Sequence, residues 1–417
     1  METILKGTLA VAIVALILSA GTMTYLTTFI TAQETMRTDL KKLSADVSGL
    51  MDRAKVLAAL PLEVRRAVEN LPTYYPDDYW KTLKGSYEEG RVIIVYSAAP
   101  EQLEGMRPEF NKKFPWIKVD LVSMRASDIL PRFLTDIQAG QSTADVFMHG
   151  IDLIWMEQAY PKYVMKYSSP EGASYADFLV QQQKKDVGIY TWAGNWGCMA
   201  YNKEKVPRDM VPNSLSDLAV KIKKDPAFWK GKIVMYDVGL SIYGANWMMA
   251  INRLLGDQEF WSIMETIGST KPALETTGTP MAEKTLAGEY LFSPMVGEST
   301  WRTALAKAPA AIEYLYAPGG IVASSQLMQL AANAKYPNAA KVWLDWCLSK
   351  EGQDAIISAS GGSWFTYRTD IPAEKYSNSW KAINDKYGKT AQVAYWLGTL
   401  QEQTAFRERW MKLMRPS

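Results

Sequence analysis

The chain has 417 residues and a mass of 46.8 kDa, and 46 Lys and Arg stand against 44 Asp and Glu, for a formal charge of only +2. Single cores stop growing near ~250 to 300 residues, so this length calls for at least two lobes. At 48% hydrophobic and 22% charged residues general disorder is excluded, and no stretch dense in lysine and arginine offers the footprint that a nucleic acid backbone requires. A single histidine excludes multi-histidine metal centres, and no nucleophile elbow, phosphate loop or dinucleotide fingerprint occurs. No catalytic residue, metal ligand or cofactor is therefore assigned. Cys198 and Cys347 form no CxxC pair and sit among apolar neighbours, so both read as buried free thiols.

Between Lys6 and Glu34 there is no charged side chain, and the run LAVAIVALIL from Leu9 to Leu18 is wholly apolar. A helix of about 24 residues rises about 36 Å, enough to cross a hydrocarbon layer of ~30 Å. Thr22, Thr24, Thr27 and Thr28 make its second half less apolar. Residues 1–32 are expected to be a retained membrane anchor. Two other readings stay open: cleavage by a signal peptidase after Ala20, and a prepilin-type site at Lys6-Gly7 that would leave a helix suited to filaments. All three export the rest of the chain.

Residues 33–90 read as a helical stalk. Met36, Leu40, Leu43, Val47, Leu50, Ala54 and Leu57 step alternately by four and three, which is an a/d seam. The seam makes either a coiled coil, with homo-oligomerisation through residues 34–60, or a lone amphipathic helix lying on the globular part. Pro61 ends it, a short helix follows over residues 62–70, and Pro72, Pro76, Gly85 and Gly90 mark the passage to a new domain.

From residue 91 the period changes. Residues 91–96, 117–122 and 144–148 are short apolar runs of strand type, separated by amphipathic helical stretches at 101–114 and 128–140. Strand, helix, strand, helix, strand predicts a parallel sheet, with ligand contacts beyond the carboxyl ends of its strands, where helix amino termini converge. Those ends carry Ser97, Ser123 and His149.

The blocks VIIVYSAA from Val92, KVDLVSMRASDILPRF from Lys118 and STADVFMHGID from Ser142 resemble the first lobe of the extracellular solute-binding proteins of ABC importers. The branch they are most similar to includes ferric-iron, thiamine, spermidine and sugar-phosphate binders. Residues 196–206, 229–237 and 339–354 resemble the crossing strand, the first strand of lobe two and the late helix that returns to lobe one. The resemblance covers about residues 91–370 and implies an α/β fold of the type II periplasmic-binding-protein kind. Two hinged lobes would close on a small-molecule solute and pass it to an ABC permease, with no catalysis. On that basis lobe one is expected at 91–195 and 297–370, lobe two at 196–296 and C-terminal helices at 371–417, with crossings near 187–201 and 290–300.

Carried over position by position, the family's contact loops fall on Ser97, Ser123, His149, Trp192, Trp196, Asp237, Ser241, Tyr243, Glu298, Ser299 and Trp301. Ser241 and Tyr243 precede a helical stretch and suit anion contact at its amino terminus. The iron branch uses an adjacent tyrosine pair where this chain reads SPMVGESTWR from Ser293, so an organic or oxyanionic solute is favoured over ferric iron. Glu298 and Asp237 would instead pair with an amine, so the sign of the solute's charge stays open. Two alternatives from other classes remain: an exported hydrolase using His149, and a filament-forming surface subunit built on the amino-terminal helix.

Overall fold

The computed structural model describes residues 2–89, 92–97, 100–141, 143–150, 153–316, 321–387, 391–394 and 398–415. Side chains are described for these except at 2–17, 50, 52, 53, 92, 100, 101 and 391–394. The chain divides into two compact units, one up to Arg66 and one from Ala67 onward.

The first unit is dominated by one uninterrupted helix, α1 (Glu2–Ala58), followed by the start of α2 (Leu62–Glu69). It carries both the apolar run and the seam. Among the described residues no helix is long and apolar enough to cross a membrane. Apart from Leu18, the side chains of the run Leu9 to Leu18 lie outside the described residues. Along the seam Met36, Leu40, Leu43 and Val47 are exposed, at 64%, 59%, 58% and 47%.

The expected stalk boundary near residue 90 lies instead at residue 66. The reason is packing. Helix α3 (Trp80–Glu88) buries Leu83 and Ser86, and Tyr79 just before it is also buried. Glu89 then caps a helix of lobe one by accepting hydrogen bonds from the backbone N–H groups of Asn338 and Ala339, at 3.0 and 2.9 Å.

Lobe one opens with β1 (Val92–Ser97), α4 (Pro100–Lys113), β2 (Lys118–Ser123), α5 (Ala126–Gln138) and β3 (Val146–Gly150). Strand β1 pairs in parallel with β2 and with β3, as the alternating periods predict. Helices α6 (Leu153–Gln158) and α7 (Asp177–Lys185) lead into β4 (Ile189–Asn202). Lobe two comprises α8 (Leu215–Lys224), α9 (Pro226–Trp229), β5 (Val234–Tyr236), α10 (Ile242–Leu255), α11 (Asp257–Ser269), β6 (Ala273–Glu275), α12 (Gly278–Ala287), β7 (Phe292–Gly297), α13 (Glu298–Lys307) and β8 (Ile312–Leu315). The chain returns through β9 (Ile321–Leu330) to α14 (Pro337–Leu348) and α15 (Lys350–Ala359), then ends with α16 (Trp380–Tyr387), β10 (Ala391–Ala394) and α17 (Leu400–Met414).

Two strands belong to both lobes. The first half of β4 pairs antiparallel with β9, which pairs antiparallel with β3; the second half of β4 pairs with β7 and β8. Within β4 the change of partner from β9 to β7 falls between Trp196 and Gly197. The return runs through β9: β7, at 292–297, pairs with the lobe-two half of β4, and the strand that reaches β3 is β9. Helix α17 completes the lobe-two core with Phe406, Trp410 and Met414.

The segment after α2, within the second unit, is fastened to lobe one by phenols. Tyr74 and Tyr75 donate to Glu171, and Tyr79 and Tyr167 donate to Asp345 Oδ2, both at 2.5 Å. Burial pushes the Asp345 carboxyl up to about 7, and the surrounding hydroxyls only partly offset it. For an acid whose folded pKa is raised, stability falls as pH rises from the unfolded value, near 4, to about 7. The stability of the wild type relative to Asp345→Asn should therefore decline between pH 4 and pH 7 and level off above, read by urea unfolding of both proteins across that window. An unchanging difference would place the titration elsewhere.

Candidate functional site

A cavity of about 360 Å³ lies between the lobes. Lobe two supplies Thr279 and Glu283 of α12 and Ser299, Thr300, Thr303 and Lys307 of α13. Lobe one supplies Gln102 of α4 and Ala359, Ser360 and Ser363 around the end of α15. The volume suits a small metabolite, and the wall is rich in hydroxyls with one cation and one carboxylate. Gln102, Thr279, Ser299 and Thr300 all sit in the first turns of their helices, where free N–H groups favour oxyanions.

Ser299 is positioned from the crossing strand. Asn195 of β4 donates to Ser299 Oγ at 2.8 Å and accepts from the Ser299 N–H at 3.2 Å, which ties the hinge to the start of α13. Of the residues assigned from sequence, Ser299 is the one on this cavity wall.

The others fall into three settings. Ser97 and Ser123 lie side by side in the β1/β2 register at the strand tips, Ser97 buried and Ser123 exposed. Asp237, Ser241 and Tyr243 gather at the start of α10. There Asp237 Oδ1 accepts from the Gly239 N–H at 3.0 Å, its Oδ2 meets Arg415, and Ser241 caps α10 through the Gly244 N–H. Tyr243 reaches across to lobe one. A Cβ at Gly150 would sit 2.8 Å from its ring, so the glycine at the tip of β3 is what lets the phenol approach.

The remaining assignments turn into the protein. His149 is 1% exposed, with Nδ1 2.6 Å from the Gly150 carbonyl oxygen and its ring 4.8 Å from Trp155. Trp192 is buried against Trp364, and Trp301 joins the lobe-two core. Trp196 stacks on Phe365, with centroids 4.5 Å apart and planes 13° apart, and its Nε1–H donates to the Asn378 carbonyl at 2.8 Å. It sits where β4 changes partner from β9 to β7. Glu298, fully buried, accepts from Arg302 Nε at 2.5 Å, Tyr316 at 2.7 Å and Tyr314 at 3.2 Å. Burial pushes both phenols up. The aromatic placements share one reason: in a chain with 15 tryptophans, large rings find more apolar area to cover inside than in a polar cleft, whereas Glu298 is held inside by its ion pair with Arg302 and the two phenols.

Sequence reasoning missed Thr279, Thr303, Ser360 and Ser363, while Asn195 and Thr300 fall inside the contact segments 192–196 and 298–301 without being singled out. The spacing of Ser299, Thr300 and Thr303 on one helix, and the Gly361-Gly362 turn between two serines, were the available signals.

Two lobes joined by shared strands, with a solute-sized polar cavity between them, define a hinged binding protein. The profile of the bacterial extracellular solute-binding proteins matches residues 106–406, and the chain belongs to that family. It is a bacterial extracellular solute-binding protein by that match. Solved structures with the same fold include the substrate-binding protein of an ABC transporter from Agrobacterium tumefaciens, 18% identical, TM-score 0.66, covering 78% of this chain and 96% of that one. Iron-bound HitA from Pseudomonas aeruginosa is 17% identical with a TM-score of 0.63, covering 77% of this chain and 99% of that one. AfuA from Actinobacillus pleuropneumoniae, with fructose-6-phosphate bound, is 17% identical with a TM-score of 0.57, covering 79% of this chain and 99% of that one. A comparison with curated proteins returns no match.

Proposed function

We propose that this chain is a membrane-anchored extracytoplasmic receptor that captures a small polar solute between its lobes and delivers it to an ABC permease. The observation that carries the reading is the cavity walled by hydroxyls from both lobes, because a solute held there gains more from closure than from either lobe alone. Ser97, Ser123, Asp237, Ser241, Tyr243 and Ser299 are assigned to the cleft together with Thr279, Thr300, Thr303, Ser360 and Ser363. An organic or oxyanionic solute fits this wall better than ferric iron. The phenols of Tyr314 and Tyr316 are spent on Glu298, whose charge Arg302 already meets.

The anchor is assigned to residues 1–32. Its threonines suit an apolar medium, since Thr22, Thr24, Thr27 and Thr28 donate to carbonyls four residues back at 2.8 to 2.9 Å. The exposed seam of α1 is assigned to pairing between copies through residues 34–60.

The test is a thermal-shift panel of sugars, sugar phosphates, inorganic oxyanions, amines and ferric iron. A true solute at a hundredfold excess over Kd should stabilise the protein by about 2.7 kcal/mol, and Thr300→Val should weaken it at least tenfold. If no solute shifts the transition, or iron alone does so, the reading fails.

A further inference from the structure

Lobe one holds a second cavity, of about 300 Å³, which shares no lining residue with the cavity between the lobes. Its apolar wall comes from Leu71, Pro72, Phe114, Val342 and Trp346, and its aromatic corner from Tyr75 and Tyr79, whose rings stand 4.7 Å apart at 89°. Asp345 lies at its base, 1% exposed.

The charges around this cavity are paired off, except one. Lys113 is held by Glu351 at 2.6 Å, Lys350 by Asp370 at 3.2 Å, and Arg368 by Glu171 at 2.6 Å, while Glu171 also takes the phenols of Tyr74 and Tyr75. Among the described residues no cationic side chain pairs with Asp345. Its Oδ2 accepts from Tyr79 and Tyr167, and its Oδ1 is buried without a hydrogen-bond partner. A buried carboxylate with an unspent acceptor is costly, and the partner that relieves it best is a cation. Ring faces beside the carboxylate suit a cation with little hydration.

We propose that this cavity is a second ligand site which takes a small organic ammonium ion, with Asp345 as counter-ion and Tyr75 and Tyr79 as its aromatic walls. The site is independent of the solute cleft. The other groups facing Asp345 are the Ser169 hydroxyl, the phenols of Tyr75, Tyr79 and Tyr167, which burial pushes above their ordinary value, and the Glu171–Arg368 pair. Binding therefore draws on the ionised form of Asp345, which is the minor form below about pH 7.

The test is calorimetric titration of the full chain with n-butylammonium and with tetramethylammonium chloride, against sodium chloride. Saturable one-to-one binding is expected for the organic cations, about tenfold tighter at pH 8 than at pH 6. Asp345→Asn should weaken it at least tenfold and flatten the pH dependence, and Tyr75→Leu should weaken it several-fold with the pH dependence kept. Should Asp345→Asn not fold, the wild-type pH profile and Tyr75→Leu decide. Heat indistinguishable from that of sodium chloride, equal affinity at both pH values, or undiminished affinity in Asp345→Asn overturns the proposal. A cation that binds there without being the transported solute leaves the cleft reading untouched, because Thr300→Val should not alter this titration.

Discussion

Trp196→Ala should destabilise the protein by about 3–5 kcal/mol, the cost of emptying a tryptophan site in a packed interior. Three contributions act together. The indole is fully buried between Phe365 at 4.5 Å and Trp380 at 6.0 Å, its N–H is spent on the Asn378 carbonyl, and it sits where β4 passes from one lobe to the other. The neighbouring Gly194 leaves the room that Phe365 fills, since a Cβ there would collide with its ring. Trp196→Phe keeps a stacked face and should cost markedly less. Urea unfolding with an unchanged m-value measures both. If Trp196→Ala instead left stability intact and abolished solute binding, the residue would belong to the cleft and not to the hinge.

Arg368→Met should cost about 3–5 kcal/mol, for an electrostatic reason. Arg368 and Glu171 are both fully buried and meet at 2.6 Å; the guanidinium also donates to Asp370 at 2.9 and 2.8 Å and to the Leu348 carbonyl at 2.7 Å. Removing it leaves the Glu171 carboxylate in the interior with only the phenols of Tyr74 and Tyr75 to hold it. The double change Glu171→Gln with Arg368→Met should be less damaging than Arg368→Met alone, because a buried pair removed together leaves no uncompensated charge. A double variant no better than the single one would show that packing, not charge, dominates. The same pair fastens the tyrosines of the segment after α2 to lobe one, so proteolysis at residues 70–79 should rise in parallel with the loss of stability.

Local pattern determined a large part of this protein. The switch from a four-three seam to alternating short strands and amphipathic helices marks where the globular body begins to build its sheet. The parallel order of β1, β2 and β3 follows from helices lying between them. Pro61 and the start of α2 were legible for the same reason, as were the two cysteines, both buried and free. Each of these rests on residues within about a dozen positions of one another, where side-chain period and turn chemistry speak directly.

What only the tertiary structure decided depends on partners far apart in the chain. Tyr74 and Tyr75 look like part of a stalk until Glu171 is placed beside them, and Tyr314 and Tyr316 look like strand residues until they close on Glu298. Trp196 carries the same indole whether it faces a solute or a hinge, and Phe365 and Trp380 settle which. The cavity wall is built from threonines and serines whose hydroxyls carry no periodic signal, and only the approach of α12 and α13 to the end of α15 gathers them into one surface. Pattern records which way a side chain faces along its own element; the identity of the group it meets is set by how the elements pack.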